Sequence, residues 1–369
     1  VLRWHQAWAL GLAVGLLALG GHIQISQWPG SPGVTGALVL PGAAGTAFLL
    51  AAGWRRLQRA DVAVVSFGKS GRTWLRVMIS RYYQLVYGIP ESVLLGFDNY
   101  HRRNARIPKI FFTHDNYIKD YTGEFDSKAS FYAKKVVLLV RNPKDIAVSQ
   151  YFQWQHRMRP AKKKLNQYPP HGAEVSAYAF EMDPNCGLPD IIVFLNLRAR
   201  EAERVEKLLI VRYEDMRVDP NKTLRRVMEF IDDEIPDASD AASIDGAVEY
   251  SSVENMRKLE EKNVFWLAGG RMKPGKKGDP NSYKVRRAKV GGYKDYFDES
   301  QAGEIDLRRF AARGFQISQA GERHEIAPAG FILHQQDNRG GLFGPCLPPV
   351  LVPRTPPQRQ FAAQYGLYA

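Results

Sequence analysis

Lys69 stands between Gly68 and the run Ser70-Gly71-Arg72-Thr73. An apolar, β-branched stretch, Val62-Ala63-Val64-Val65-Ser66-Phe67, comes directly before this loop, and a helical pattern opens directly after it at Trp74. A Gly-flanked loop between a buried strand and a helix makes an anion cradle. Its backbone N–H groups point at the ligand, the helix dipole favours negative charge, and the lysine adds a full positive charge. The residues therefore predict a phosphate-binding loop. A Walker A loop needs another glycine five residues before Gly68, and that position is Ala63, inside the strand. Three more residues with useful chemistry end apolar runs. His114 closes Ile110-Phe111-Phe112-Thr113, Arg141 closes Val136-Val137-Leu138-Leu139-Val140, and Tyr213 follows Leu208-Leu209-Ile210-Val211-Arg212. A neutral histidine can take the proton of an attacking hydroxyl or amine near neutral pH. An arginine fork suits a phosphate.

The elements that must position these residues read as strands alternating with helices. A helix is expected over about Thr73–Val86, and another follows Asn142 with Pro143 at its first position. Further helices are expected near Leu188–Glu206 and Lys222–Phe230, with a last one at about Glu299–Arg313. This alternation predicts a three-layer α/β/α fold with a central parallel sheet and right-handed crossovers. Ligands bind such sheets at the carboxyl ends of the strands, where Lys69, His114, Arg141 and Tyr213 all fall. Residues 158–172 are basic and read as a loop over the site, and the basic stretch 276–294 reads as a mobile loop. Windows 87–108, 158–185 and 257–285 are expected to shape an acceptor pocket.

The chain has 369 residues, 45% of them apolar and 24% charged, with a net charge of +13. These values suit a globular protein with an anionic partner: a phosphorylated cofactor, a nucleic acid or a membrane surface. Basic residues concentrate in the candidate ligand blocks, so nucleic-acid binding is not needed to explain the charge. Cys186 and Cys346 show neither metal spacing nor a disulfide framework, and no metal site is expected. Residues 4–54 lack Asp, Glu, Lys and Arg and contain two apolar runs, Ala7–Gly21 and Ala37–Gly53. Flanking Arg3, Arg55, Arg56 and Arg59 fit a membrane hairpin through residues 7–53 with cytoplasmic ends. A mis-called start is the equal alternative, and a signal peptide is disfavoured by the poor cleavage site at Gly20-Gly21-His22. The expected organisation is an apolar extension over 1–58, a folded domain over 59–318 that carries the candidate ligand residues, and a Pro/Gly-rich disordered tail over 319–369.

From about Ala60 to Phe315 the chain resembles the cytosolic-type sulfotransferases that use 3′-phosphoadenosine-5′-phosphosulfate (PAPS). Four ordered blocks carry the resemblance. Phe67-Gly68-Lys69-Ser70-Gly71-Arg72-Thr73-Trp74 is similar to the family's 5′-phosphosulfate loop, usually Tyr-Pro-Lys-Ser-Gly-Thr-Thr-Trp. Arg141-Asn142-Pro143-Lys144-Asp145-Ile146-Ala147-Val148-Ser149 resembles its 3′-phosphate motif. Tyr213-Glu214-Asp215-Met216 matches a recurrent segment, and Arg286-Arg287-Ala288-Lys289-Val290-Gly291-Gly292-Tyr293-Lys294 resembles the late basic loop. The resemblance implies that Lys69, Ser70, Gly71, Arg72 and Thr73 hold the 5′-phosphosulfate while Trp74 stacks on adenine. It implies that Arg141, Ser149, Arg286 and Arg287 bind the 3′-phosphate, that Tyr213, Ser251 and Val253 touch the adenosine part, and that His114 is the general base.

The implied activity is sulfuryl transfer from PAPS to a hydroxyl or amine of a small-molecule, lipid or sugar acceptor, with Lys69 stabilising the leaving phosphate. Such a reaction relies on positioning and electrostatics and calls for no metal. Four departures stand out. Gly68 replaces a loop proline, Arg72 replaces a threonine, Phe112 replaces a helper lysine two residues before the base, and Ala288 replaces a glycine. The family's Lys-x-x-x-Thr-Val-x-x-x-Glu dimerisation segment is not visible, so the resemblance implies no oligomer state. Phe112 and Ala288 motivate an alternative, a nucleotide-binding protein of the same fold with little turnover. A nucleoside or nucleotide kinase ranks third. The catalytic domain is expected in the cytoplasm, anchored if the apolar extension is a membrane segment.

Overall fold

Every residue of β1 (Val62–Ser66) is buried, which a strand achieves only when both faces of its sheet are covered. The computed structural model describes residues 52–115, 127–232, 240–266, 272–311, 315–317 and 331–333. In chain order β1 leads into α1 (Arg72–Tyr87), β2 (Ile110–Thr113), β3 (Lys135–Val140), α2 (Pro143–His156), α3 (Pro160–Leu165) and α4 (Ala177–Met182). There follow α5 (Leu188–Glu201), β4 (Lys207–Arg212), α6 (Tyr213–Val218), α7 (Pro220–Ile231), α8 (Ala241–Tyr250), α9 (Val253–Glu261) and α10 (Glu299–Ala311). The strands form a parallel sheet in the order β2-β1-β3-β4, with Val62 opposite both Ile110 and Lys135. Val62 and Val64 of β1 pack with α1, α7 and α8 in one core layer. Ala63 and Val65 pack with Ile146 of α2 and Ile191 of α5 in the other. This is the expected three-layer α/β/α fold with a central parallel sheet.

The chain leaves β1 for β2 on one side and then crosses back to β3 on the other. The resulting switch point opens a crevice outside the carboxyl ends of β1 and β3, the standard ligand position in such sheets. The loop carrying Lys69 and the residue Arg141 flank that crevice from the two strands.

Some expectations of local structure change. Residues 158–172 contain the short helix α3, because Pro160 starts a turn that Lys162–Lys164 continue. The helix expected over Lys222–Phe230 is preceded by α6, which begins at Tyr213 itself, and Asp219 caps α7 by accepting from the Lys222 amide at 2.8 Å. The apolar extension to residue 51 lies outside the described residues, and among the described residues no helix is long and apolar enough to cross a membrane. The stretch read as a tail lies outside them too, except for Phe331–Leu333, which pairs in parallel with Phe315–Ile317.

A buried ion cluster fixes the end of β2. Asp115 has a left-handed backbone (φ 45°) and pairs with Lys128 at 3.3 Å and with Arg198 of α5. All three side chains are almost fully buried. Burial holds the Arg198 guanidinium down to about 9 despite the opposing pull of Glu201. Removing one member of such a cluster leaves uncompensated charge in a low-dielectric interior. Asp115→Ala is therefore expected to lower the unfolding free energy by about 3–5 kcal/mol, measured by urea denaturation. A loss below about 1 kcal/mol would show that the cluster contributes no more than a surface pair.

Candidate active site

The loop after β1 bends through two left-handed residues, Lys69 (φ 70°) and Gly71 (φ 95°), so that α1 begins at Arg72 with its N-terminus facing the loop. For a lysine this backbone costs about 1–2 kcal/mol, and contacts from the third strand hold it. The Lys69 carbonyl accepts from Arg141 Nη1 at 3.1 Å. Arg141 also lies 4.2 Å above the Tyr213 ring, and its Nη2 reaches the Lys289 carbonyl at 3.2 Å and Asp145 Oδ2 at 3.8 Å. One guanidinium thus ties the phosphate loop, the start of α2, the start of α6 and the late loop together.

Tyr213 acts as a buried floor. It is 5% exposed, its ring meets Trp74 edge-on at 6.0 Å, and a Cβ added at Gly71 would come 2.6 Å from its Cδ2. Gly71 is required twice, by its backbone angle and by this approach. Trp74 donates its Nε1–H to the Ser251 carbonyl at 2.8 Å, and Arg217 lies 5.7 Å over its ring. The Ser251 hydroxyl points inward to the Ala247 carbonyl at 2.8 Å, closing the end of α8.

His114 is held at both ring nitrogens. Nδ1 lies 2.9 Å from the Ser66 carbonyl and Nε2 lies 2.8 Å from Arg72 Nη2. A carbonyl can only accept and a guanidinium can only donate, so Nδ1 carries the proton and Nε2 presents its lone pair. The carbonyl bond that a structural histidine would make therefore coexists with an Nε2 ready to accept a proton. It also gives Arg72 a place, on the ring of His114.

Two buried carboxylates pin the late loop, which corrects the expectation of a mobile segment. Glu260 of α9, fully buried, accepts from the Lys284 amide at 2.7 Å, the Val285 amide at 3.1 Å and Arg157 Nη1 at 2.9 Å. Asp145 accepts from the Gly291 amide at 2.8 Å and the Tyr293 amide at 3.0 Å. Arg286 lies 3.8 Å over Phe152, and Arg287 pairs with Asp295 at 2.7 Å. Ala288 has a left-handed backbone (φ 52°), which explains why a glycine suits that position and costs this chain about 1 kcal/mol.

One cleft is lined by Lys69, Gly71, Arg72, Thr73, Trp74, His114, Arg141 and Ser149, and also by Tyr213, Ser251, Val253, Arg286 and Arg287. Ser70 sits behind this wall, 1% exposed, with a hydroxyl that has no hydrogen-bond partner among the described residues. The cleft also holds residues that motif reading passed over: Asp145, Lys162, Tyr168 and Lys284. Of the windows expected to shape the acceptor pocket, 158–185 contributes Met158, Lys162, Asn166 and Tyr168, and 257–285 contributes Lys284 and Val285; the lining includes no residue of 87–108. Burial, then the Arg157 and Arg141 guanidinium groups, push the Lys69 ammonium down to about 7. Burial and the charges of Lys69, Arg157, Arg72 and Arg76 push Lys284 well below its ordinary range. Among the described residues no group of three or more His, Cys, Asp or Glu could hold a metal.

The contact between Gly71 and Tyr213 yields a direct test. Gly71→Ala adds a clash and a strained φ, together about 2–4 kcal/mol, at the loop alone. The expected result is at least a tenfold loss of affinity for 3′-phosphoadenosine 5′-phosphate (PAP) with the melting curve still cooperative; unchanged PAP affinity would contradict the loop assignment.

A family model described as the sulfotransferase domain matches residues 59–308. The chain is 23% identical over 276 residues to cytosolic sulfotransferase 10 of Arabidopsis thaliana, covering 68% of this chain and 77% of that protein. It is 26% identical over 264 residues to a flavonol 3-sulfotransferase of Flaveria bidentis, covering 67% and 79%. A crystal structure of a mouse sulfotransferase complexed with PAP aligns with a TM-score of 0.42 at 20% identity, covering 70% of this chain and 87% of that one. With a matched domain spanning both halves of the cleft, the chain belongs to the sulfotransferase family.

Proposed function

We propose that the protein transfers a sulfuryl group from PAPS to a hydroxyl or amine of a small-molecule acceptor. The observation that carries this reading is the convergence in one cleft of the Lys69 loop, Arg141 and the late arginine pair with a histidine whose Nε2 is unprotonated. The donor's fit rests on the cleft's own chemistry. Ser70 Oγ and Arg141 Nε are buried polar groups without a hydrogen-bond partner among the described residues, one in the loop after β1 and one directly after β3. The N-termini of α1 and α2 add donor groups and positive potential.

When bound, PAPS supplies an activated sulfuryl group on a phosphate leaving group. Lys69 and the amides of residues 70–73 would hold the 5′ end. Arg141, Ser149, Arg286 and Arg287 would hold the 3′-phosphate, and Trp74, Val253 and Ser251 would wall the adenosine. His114 Nε2 takes the proton of the acceptor as its oxygen or nitrogen attacks. Because Nδ1 stays bonded to the Ser66 carbonyl, the imidazolium that forms is held in register. The acceptor must displace the Arg72 N–H from Nε2, which frees that donor for sulfuryl oxygens. Lys69 stands against the negative charge that builds on the leaving oxygen. Curated relatives named as cytosolic or flavonol sulfotransferases support a cytoplasmic location and a small hydroxylated acceptor.

Phe112, with Arg76 stacked 3.9 Å over its ring, and the strained Ala288 favour a second reading in which the cleft binds nucleotide with little turnover. The two readings separate in one experiment. Labelled PAPS is offered with phenol, steroid, lipid and sugar acceptors to the parent protein and to His114→Ala, with PAP binding measured alongside. The expected outcome is transfer by the parent and at least about a hundredfold loss in the variant, with PAP affinity retained. PAP binding without transfer to any acceptor would support the second reading, and turnover by His114→Ala within a few-fold of the parent would remove the base assignment.

A further inference from the structure

Tyr213 and Arg217 stand one turn apart on α6, so helix geometry turns both side chains to the same side. Both meet Trp74. The Tyr213 ring approaches it edge-on at 6.0 Å, and the Arg217 guanidinium carbon lies over it, 5.7 Å from the ring centre. The bond from Trp74 Nε1–H to the Ser251 carbonyl fixes the plane of the indole, so the face that Arg217 covers is a set surface. Trp74, Tyr213 and Arg217 all line the cleft.

The two arginines of this wall are held differently. Arg141 covers the Tyr213 ring at 4.2 Å and is anchored by the Lys69 and Lys289 carbonyls. Arg217 is exposed, and no hydrogen bond or ion pair to the described residues fixes it. Its planar side chain can therefore leave the indole for a flat group that enters the cleft, at little cost in packing. Met256 of α9, in the apolar cluster against which Trp74 packs, and Val253, at the start of that helix, offer no second ring. Nucleobases stack on guanidinium planes as they do on aromatic side chains. The attraction between a cation and a ring also grows as water leaves.

Resting on the donor reading above, we propose that Arg217 is a base-binding residue. It moves outward from Trp74 by the thickness of one ring and closes over the purine, which lies sandwiched between indole and guanidinium. The phosphates stay with the residues already named for them, and Arg217 sets how tightly the base itself is gripped. Its plane matters as much as its charge, because the contact is made face to face.

The test compares PAP with its abasic counterpart, ribose 3,5-bisphosphate, on the full chain and on two variants, Arg217→Ala and Arg217→Lys. Affinity for PAP is read by calorimetric titration and affinity for the abasic probe by its competition with PAP. Arg217 is exposed, so both variants keep the fold, which a cooperative melting curve checks. In Arg217→Ala, PAP affinity is expected to fall at least about fivefold while affinity for the abasic probe stays within about twofold. Arg217→Lys keeps the charge without the plane and is expected to recover only part of the loss. Unchanged PAP affinity in Arg217→Ala would overturn the inference and leave the donor reading standing. An equal loss for both ligands, or full recovery by Arg217→Lys, would overturn it too, by making Arg217 a charge that acts on the phosphates. A parent protein that does not bind PAP at all loses the donor reading, and the inference falls with it.

Discussion

Holding like charges together in a partly desolvated cleft is the constraint on which the rest of this structure depends. Crowded cations repel and resist burial, so they stay charged and aimed only if the backbone around them is fixed by other means. Two fully or almost fully buried carboxylates do this. Glu260 and Asp145 accept from backbone amides of the late loop, and by doing so they hold the segment that carries Lys284, Arg286 and Arg287 at the cleft. On the opposite side Arg141 plays a similar part, since its bond to the Lys69 carbonyl holds a left-handed lysine that would otherwise relax. The result is a cleft rich in cations, in which burial and the neighbouring guanidinium groups of Arg157 and Arg141 disfavour the charged form of Lys69.

The sheet explains why these groups meet. The crossing back from β2 to β3 opens the crevice at the ends of β1 and β3, and the strand β2 brings His114 to its edge. The buried cluster of Asp115, Lys128 and Arg198 locks the residue after the histidine. The Ser66 carbonyl at the end of β1 then fixes the tautomer from the neighbouring strand. His114 and the Lys69 loop are therefore coupled through a parallel strand pair whose register is set by buried apolar side chains.

Much of this was legible in the sequence because local signals and sheet logic agreed. The apolar run of β1, the Gly-flanked lysine and the Asn142-Pro143 helix start each specify their element within a few residues, and the alternation of elements places their ends together. Arg72 was not legible: its partner, His114, is distant in sequence and comes close only through the pairing of β1 with β2. Glu260 and Lys284 were hidden for the same reason, one looking like an ordinary acidic helix residue and the other like one more cation in a basic stretch. The late loop read as mobile because glycines and lysines dominate it, and nothing local announces that buried carboxylates from α2 and α9 will bond its amides. Ser251 shows the reverse case, in which a residue expected at the ligand directs its hydroxyl into the end of a helix.

The crowding of cations in this cleft has a measurable signature. With Lys69 held at about 7 by burial and by the Arg157 and Arg141 guanidinium groups, the free protein is partly deprotonated at this group above neutral pH. An arriving phosphate favours the charged form of Lys69 and raises its value, so binding must take up protons. Calorimetric titration with PAP at pH 7.5–8 in buffers of different ionisation enthalpy measures this directly. Net proton uptake, with affinity falling as pH rises above about 7, is the predicted result, and PAP binding with no proton uptake or with proton release would contradict the account of the cleft as one whose burial and crowded cations hold the Lys69 ammonium down until an anion arrives.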